Sequence, residues 1–322
     1  MLLGVELKAA QSRRHKSSAI ILAMTKTIAV VGAGVSGALC ARHLTLLGHS
    51  VRVFDKGRGP GGRTSSRRRN SGHRFDHGAS RMDVSQPAVH ALLEPALLAG
   101  LLCRVDDVYT SPSGLNALSK WLLDGLPAQY TTKLTRLEHD TAWNAFDGDD
   151  RAYGPFDAVV LAVPPVNASE IVIGHDAELA KTISCVQMLP RWVVMLGFSE
   201  TLDQVPDHTM VKGQILRRSM SNSVGDAFVI EASQDWSVEH IEMDVDSVGT
   251  TLLEMVKPGL GLVSPTSIDA HRWRYAFADT PLGRPYLFAE HELYVCGDWC
   301  LGRSIESALL SALAVVDALS RN

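Results

Sequence analysis

TIAVVGAGVSGALCARHLTLLGHSVRVFD, residues 27–55, is the stretch on which the fold turns. Ile28 to Val31 form a continuous apolar run, the pattern of a parallel strand buried on both faces, and the run stops at glycine. Leu39, His43, Leu44 and Leu47 then recur at helical spacing until Gly48, which suits a helix stop. Val51, Val53 and Phe54 make the next strand, closed by Asp55. Strand, helix and parallel strand in about thirty residues make one right-handed βαβ unit. Gly32, Gly34 and Gly37 lie between its first strand and its helix, and Asp55 follows Gly37 by 18 residues. Dinucleotide binding needs that spacing: a tight turn, an open approach for the pyrophosphate, close helix–strand packing, and an acid that accepts from the adenosine ribose. Ser36 sits in the same turn and joins the candidate cofactor residues.

The fingerprint alone does not separate a nicotinamide cofactor from a flavin. Directly after Asp55, Lys56 and the segment GRGPGGR (57–63) place Arg58, Gly61, Gly62 and Arg63 where a loop can lie along a pyrophosphate, with guanidinium groups as fixed donors. From Gly57 to Gly78 the chain is rich in Gly, Arg and Ser, as expected of an ordered ligand-wrapping loop. Its run Arg67, Arg68 and Arg69 reads as solvated or phosphate-facing. Far downstream, YVCGDWCLGRSIESALLSAL (294–313) reads as strand, Gly297-Asp298, short loop and helix. Asp298 can accept from a ribityl hydroxyl there, and the amides near Arg303, Ser304 and Ile305 can face the flavin O2 edge. An extended FAD needs such a second grip.

Elsewhere helices are expected over 87–102, 114–123 and 307–319, and strands over 158–163, 192–198, 227–232 and 293–296. Residues 24–80, 101–165 and 271–322 are expected to build the cofactor domain, with 81–100 and 166–270 forming a smaller second domain. The 322 residues carry a formal net charge of -4, which gives no basic field for nucleic acid. Five scattered cysteines fit a reducing cytoplasm better than a disulfide framework, and Cys296 and Cys300 have no neighbours that complete a metal set. No run has transmembrane length, so no membrane role is expected. Residues 1–23 read as a loose extension, too short in apolar length for a signal peptide, with Met24 as an alternative start.

GAGVSG, GRGPGGR, FDHGA (75–79), SPSGLNALSKWL (111–122), DAVVLAVPP (157–165) and HRWRYA (271–276), in that order, resemble renalase-like flavoproteins, a branch of the flavin amine-oxidase superfamily. HRWRYA shortly before the Gly-Asp segment is the most specific of these. The resemblance implies an α/β chain with a glutathione-reductase-type Rossmann-like FAD domain and a smaller mixed α+β substrate domain. It also implies noncovalent FAD, with His77, Gly78 and Ala79 beside the cofactor. Such proteins oxidise dihydro isomers of the nicotinamide dinucleotides by hydride transfer to flavin N5 and pass electrons to molecular oxygen, giving hydrogen peroxide. His271, Tyr275 and Trp192 are the candidate catalytic residues. If extended, His271 to Tyr275 puts His271, Trp273 and Tyr275 on one face and Arg272 and Arg274 on the other. The sequence departs from the family pattern at Ser80, Arg81 and Met82 and again over Arg218 to Asn222, near the family's substrate cavity. Two alternatives remain: an oxidase of amines or other small molecules on the same scaffold, although neither a flavin-facing lysine nor an aromatic cage is identifiable, and a noncatalytic flavin binder.

Overall fold

The computed structural model describes residues 25–219, 224–261 and 263–321. The expected N-terminal extension, and Met220, Ser221 and Asn222, lie outside them. Thr27–Val31 is the central strand of a six-stranded sheet ordered Leu287–Ala289, Leu293–Val295, Ala158–Leu161, Thr27–Val31, Ser50–Phe54, Ala128–Gln129. All neighbours are parallel except the Leu287–Val295 hairpin at one edge. Strand alternation sorts the side chains between two cores. Ile28, Val30, Val51 and Val53 face the helices Val35–Leu46, Asn116–Leu122 and Ile305–Arg321. Ala29, Val31, Phe54, Val159 and Leu161 face the other way, onto a three-stranded antiparallel sheet (Leu134–His139, Trp143–Asp147, Ala152–Phe156) and the helices Pro165–Val172 and Ala177–Ser184. Burial on both faces explains why these strands read as apolar runs.

A second sheet of five strands is antiparallel throughout: His208–Val211, Gln214–Arg218, Ala227–Glu231, Met188–Gly197, Ser267–Ala278. One face carries Trp192, Val194, Leu196, Leu216, Phe228, Ile230 and Ala270 and is covered by the helix Val245–Leu260. That helix buries Val248, Leu252, Val256 and Leu260, four apart on one stripe, each contributing about 1.5–3 kcal/mol by leaving water. Asp244 caps its first turn by accepting from Ser247 N at 2.9 Å. The other face of this sheet looks toward the glycine loop.

The chain is therefore an α/β protein with a Rossmann-like unit and a smaller mixed second unit, as the sequence predicts. The expected boundaries shift. Helix Pro87–Leu98 packs Val89, Leu93 and Ala96 into the same core as Ile28 and Leu39, so residues 81–100 stay with the nucleotide sheet. Helices 165–184 pack beneath that sheet too. At the other end, the boundary at 271 would cut a strand that runs unbroken from Ser267 to Ala278. Apolar periodicity marks a helix but not which core receives it.

Candidate functional site

A cavity of about 1190 Å³ runs from the glycine loop to the open face of the five-stranded sheet. At its first end the three glycines have different reasons to be glycine. Gly32 has φ +110°, and a Cβ there would fall 2.4 Å from the Ala162 carbonyl oxygen. A Cβ on Gly37 would fall 1.9 Å from the Gly32 carbonyl oxygen. Both are demanded by the fold. Gly34, in contrast, is extended at φ −72°, a conformation any residue adopts, and a Cβ there would meet nothing within 4 Å. The space beside Gly34 belongs to the cavity, and the helix Val35–Leu46 opens there with no side-chain cap, leaving its first amides to a ligand. Asp55 is oriented by two backbone donors, Ala33 N to Oδ2 and Gly57 N to Oδ1, each at 2.6 Å. Lys56 and Arg58 are exposed at the rim, and Gly62 and Ser36 line the wall. A diphosphate-bearing dinucleotide fits this donor set.

The two distant segments expected to grip the cofactor meet each other. Arg63 forms a bidentate pair with Asp298, Nη1 to Oδ2 at 2.9 Å and Nη2 to Oδ1, and Nη1 also donates to the Ala276 carbonyl at 2.9 Å. The fork expected to reach phosphate is thus occupied by a carboxylate whose geometry matches it. Asp298 is buried, and any ribityl hydroxyl it accepts from shares it with Arg63. The Arg63 carbonyl accepts from Ala79 N at 3.0 Å, while a Cβ on Gly78 would come within 2.2 Å of that same oxygen, which is why FDHGA carries glycine. Arg303 turns to Asp279, and Ser304 Oγ caps the last helix by accepting from Ser307 N at 3.1 Å. Ser304, Ile305 and Gly297 line the cavity. Ser36 Oγ donates to the Ala308 carbonyl at 3.0 Å, tying the first helix to the last.

At the far end, strand register lays out the wall. Trp273 stands opposite Arg191; His271 opposite Val193, itself opposite Glu231; Asp269 opposite Met195, then Val229 and Arg217. His271 and Trp273 face the cavity while Arg272 and Arg274 pair with Glu242 behind the sheet, as the alternation predicts. Tyr275 lines the cavity from an irregularity where one residue, Pro190, opposes the three residues 274–276; Pro190 has no N–H for the ladder. Trp192 is a correction. It is fully buried in the core on the opposite face, its indole donating to the His240 carbonyl at 2.9 Å, and the neighbours Arg191 and Val193 reach the cavity in its place. Period-two alternation puts residue 192 on the wrong side.

His77, His271 and Trp273 form one cluster. The His77 ring stacks on Trp273 at 5.2 Å and meets His271 edge-on at 5.0 Å, and the Trp273 indole donates to the His77 carbonyl at 2.8 Å. Burial, then the neighbouring His271 and the arginines Arg67 and Arg217, push the His77 imidazole down to about 3. Burial and then Arg67 bring His271 down to about 4. Both are neutral at pH 7. Because their folded values lie below the ordinary 6.5, the unfolded chain binds more protons, so the stability they allow is intact above pH 6.5 and declines as pH falls toward 4. The pair alone is expected to give a slope of up to about 2.7 kcal/mol per pH unit between roughly pH 5.5 and 4.5. Asp76, whose carboxyl burial pushes up, offsets part of this at the acid end. Urea melts from pH 7 to 4.5 check this; a flat profile contradicts a neutral, buried pair.

Sequence reasoning missed Arg191, Glu231, Arg217, Asp269 and the role of Arg67. Their signal was a charge inside an apolar strand, as at Glu231 after AFVI. Arg217 is buried, donating to Glu231 through Nε and to the carbonyls of Asp76 and Gly78 through Nη2. Its Nη1, Arg191 Nε and His77 Nδ1 are buried without a partner among the described residues. Of the segments departing from the family pattern, Arg81 pairs with Asp83 at the surface, Met82 enters the core, and Arg218 pairs with Asp207 and Asp226.

A family model for NAD(P)-binding Rossmann-like domains matches residues 30–95. Across nearly the whole chain the fold is similar to cyclohexylamine oxidase from Brevibacterium oxydans IH-35A, with a TM-score of 0.70 and 12% identity over 92% of this chain and 99% of that one. It is likewise similar to a protein assigned as a protoporphyrinogen oxidase from Exiguobacterium sp. 255-15, with a TM-score of 0.68 and 10% identity over the same shares. At such identities the likeness is one of fold: a dinucleotide-binding Rossmann-like unit joined to a second unit that walls its cavity.

Proposed function

We propose that this chain is an FAD-dependent oxidoreductase, holding FAD noncovalently and oxidising dihydro isomers of the nicotinamide dinucleotides with molecular oxygen as acceptor. The observation that carries the reading is the far wall: two neutral imidazoles and the Trp273 ring backed by a surplus of arginine over carboxylate. Of the two acids on this wall, Glu231 is matched by Arg217 at 2.5 Å and approached by Arg191 at 4.0 Å, and Asp269 by Arg67 at 2.6 Å and Arg69 at 2.8 Å. An ammonium group meets net repulsion there, whereas a neutral planar ring carried by an anionic dinucleotide meets aromatic surface and cations.

When bound, FAD supplies the redox chemistry, taking two electrons from the substrate and delivering them to oxygen with release of hydrogen peroxide. The chain's residues bind and orient. The glycine loop and the uncapped helix start receive the pyrophosphate, and Asp55 the adenosine ribose. Asp298, shared with Arg63, and the amides opening the helix Ile305–Arg321 support the other half of the cofactor. His271, Trp273 and Tyr275 form the wall that excludes water from the substrate.

Anaerobic mixing of the purified holoprotein with dihydro-NAD isomers, with cyclohexylamine and with protoporphyrinogen tests this. Bleaching of the flavin's visible absorbance by the isomers, and peroxide formation on admitting air, are expected. Bleaching by the amine or the porphyrinogen alone overturns the substrate reading. Bleaching by chemical reductant only, with no oxygen consumed on any substrate, favours a noncatalytic flavin binder.

A further inference from the structure

The arginine run 67–69 has a use that a solvated stretch does not. Arg67 sits in a short strand, Arg67–Arg68, paired with Arg74–Phe75 in a hairpin over the open face of the five-stranded sheet. From there Arg67 Nη1 donates to Asp269 Oδ2 at 2.6 Å, and Arg69 Nη2 reaches the same oxygen at 2.8 Å. Asp269 and His271 are two apart on one strand and therefore on one face. The fork that Asp269 holds points its other nitrogen, Nη2, at His271 Nδ1, 3.2 Å away.

A guanidinium has five donors, no acceptor, and does not deprotonate in proteins. The contact is therefore a hydrogen bond only if His271 Nδ1 accepts it, which requires a neutral ring with its proton on Nε2. We infer that Arg67, held by Asp269, is a positioning residue that fixes His271 as its Nε2–H tautomer. The other groups facing His271 agree. His77 meets it edge-on at 5.0 Å and Trp273 at 4.5 Å, neither bringing a charge; across the sheet come Val193 and then Glu231, which is committed to Arg217. The remaining polar atom of His271 is then a donor. A ligand that meets it in the cavity must present an acceptor such as a carboxamide or carboxylate oxygen, and an ammonium has nothing to offer. This consequence for substrate class rests on the oxidoreductase reading above; the tautomer itself does not.

Histidine-15N-labelled holoprotein, followed by long-range proton–nitrogen correlation from pH 7.5 to 3.5, tests the inference without turnover, with the His271 signals assigned by their loss in His271→Gln. Wild type is expected to show an unprotonated Nδ1 and a protonated Nε2 at pH 7, titrating near 4. Arg67→Met removes both donor and positive charge, so the midpoint is expected to rise by about one pH unit or more and the tautomers to mix. Arg67→Lys restores a cationic donor and should restore most of the wild-type spectrum. A wild-type ring protonated on Nδ1, or an Arg67→Met spectrum like wild type, overturns the inference; the wild-type measurement decides even if a variant fails to fold. If the tautomer is as expected but no dihydro isomer bleaches the flavin, the functional reading falls and the positioning role stands.

Discussion

Gly34→Val is expected to give a folded protein with almost no flavin. The backbone at Gly34 is extended at φ −72°, and a Cβ there meets nothing within 4 Å, so a side chain can start from this position without backbone strain or a clash at its first atom. The same branched side chain stands where a pyrophosphate must approach the amides that open the helix Val35–Leu46, and a bound phosphate cannot share that space. Flavin content per chain should drop by roughly tenfold or more, since displacing charge-assisted hydrogen bonds costs about 1.5–3 kcal/mol apiece. Thermal midpoints of the apoprotein should stay near those of apo wild type. The control is Gly37→Val, where a Cβ would lie 1.9 Å from the Gly32 carbonyl oxygen and folding itself should fail. A Gly34→Val protein with full flavin stoichiometry would refute the placement of the phosphate site.

Asp298→Ala should cost stability and cofactor together, because it strips a buried carboxylate from Arg63 and leaves the guanidinium, among the described residues, with the Ala276 carbonyl. Breaking a buried ion pair from one side costs about 3–5 kcal/mol; the low end applies here, since the Arg63 side chain keeps 32% of its exposure and water can reach it. Whether flavin is lost through Asp298 directly or through Arg63 is separable in a double-mutant cycle. If Asp298 acts by holding Arg63, then Asp298→Asn in an Arg63→Met background should change flavin affinity by less than a few tenths of a kcal/mol. Additive losses in the cycle would show that Asp298 contacts the cofactor by itself.

The βαβ unit was readable because its constraints are local: an apolar run, three glycines and an acid within 29 residues, each answering to a steric or hydrogen-bonding need of its neighbours. The faces of the strand His271–Tyr275 were readable for the same reason, since alternation in HRWRY separates arginines from aromatics. Trp192 was misplaced because RWVVML is apolar on both faces, and sequence alone does not say which face meets a helix and which a cavity. The pairing of Arg63 with Asp298, 235 residues apart, and of Arg67 with Asp269 and His271, over 200 apart, depends on how two sheets are set against each other. No period or spacing encodes that. Helix Pro87–Leu98 is readable as a helix from its own residues, whereas the core it joins is not, for the same reason.

The tie from Ser36 to Ala308, spanning 272 residues, bears on how the protein is made. The glycine loop leaves the ribosome long before the strand Leu293–Val295, the carboxylate of Asp298 and the helix that packs on Val35–Leu46. At ordinary elongation of about 5–20 residues per second, the nascent chain carries an unfinished nucleotide pocket for tens of seconds. During that interval the edge of Ala158–Leu161 that Leu293–Val295 will occupy has no neighbour, a template for mispairing. On the proposed reading a flavin that needs both Gly34 and Asp298 is captured only once the second segment has emerged, and flavin supply during expression should govern how much chain escapes aggregation.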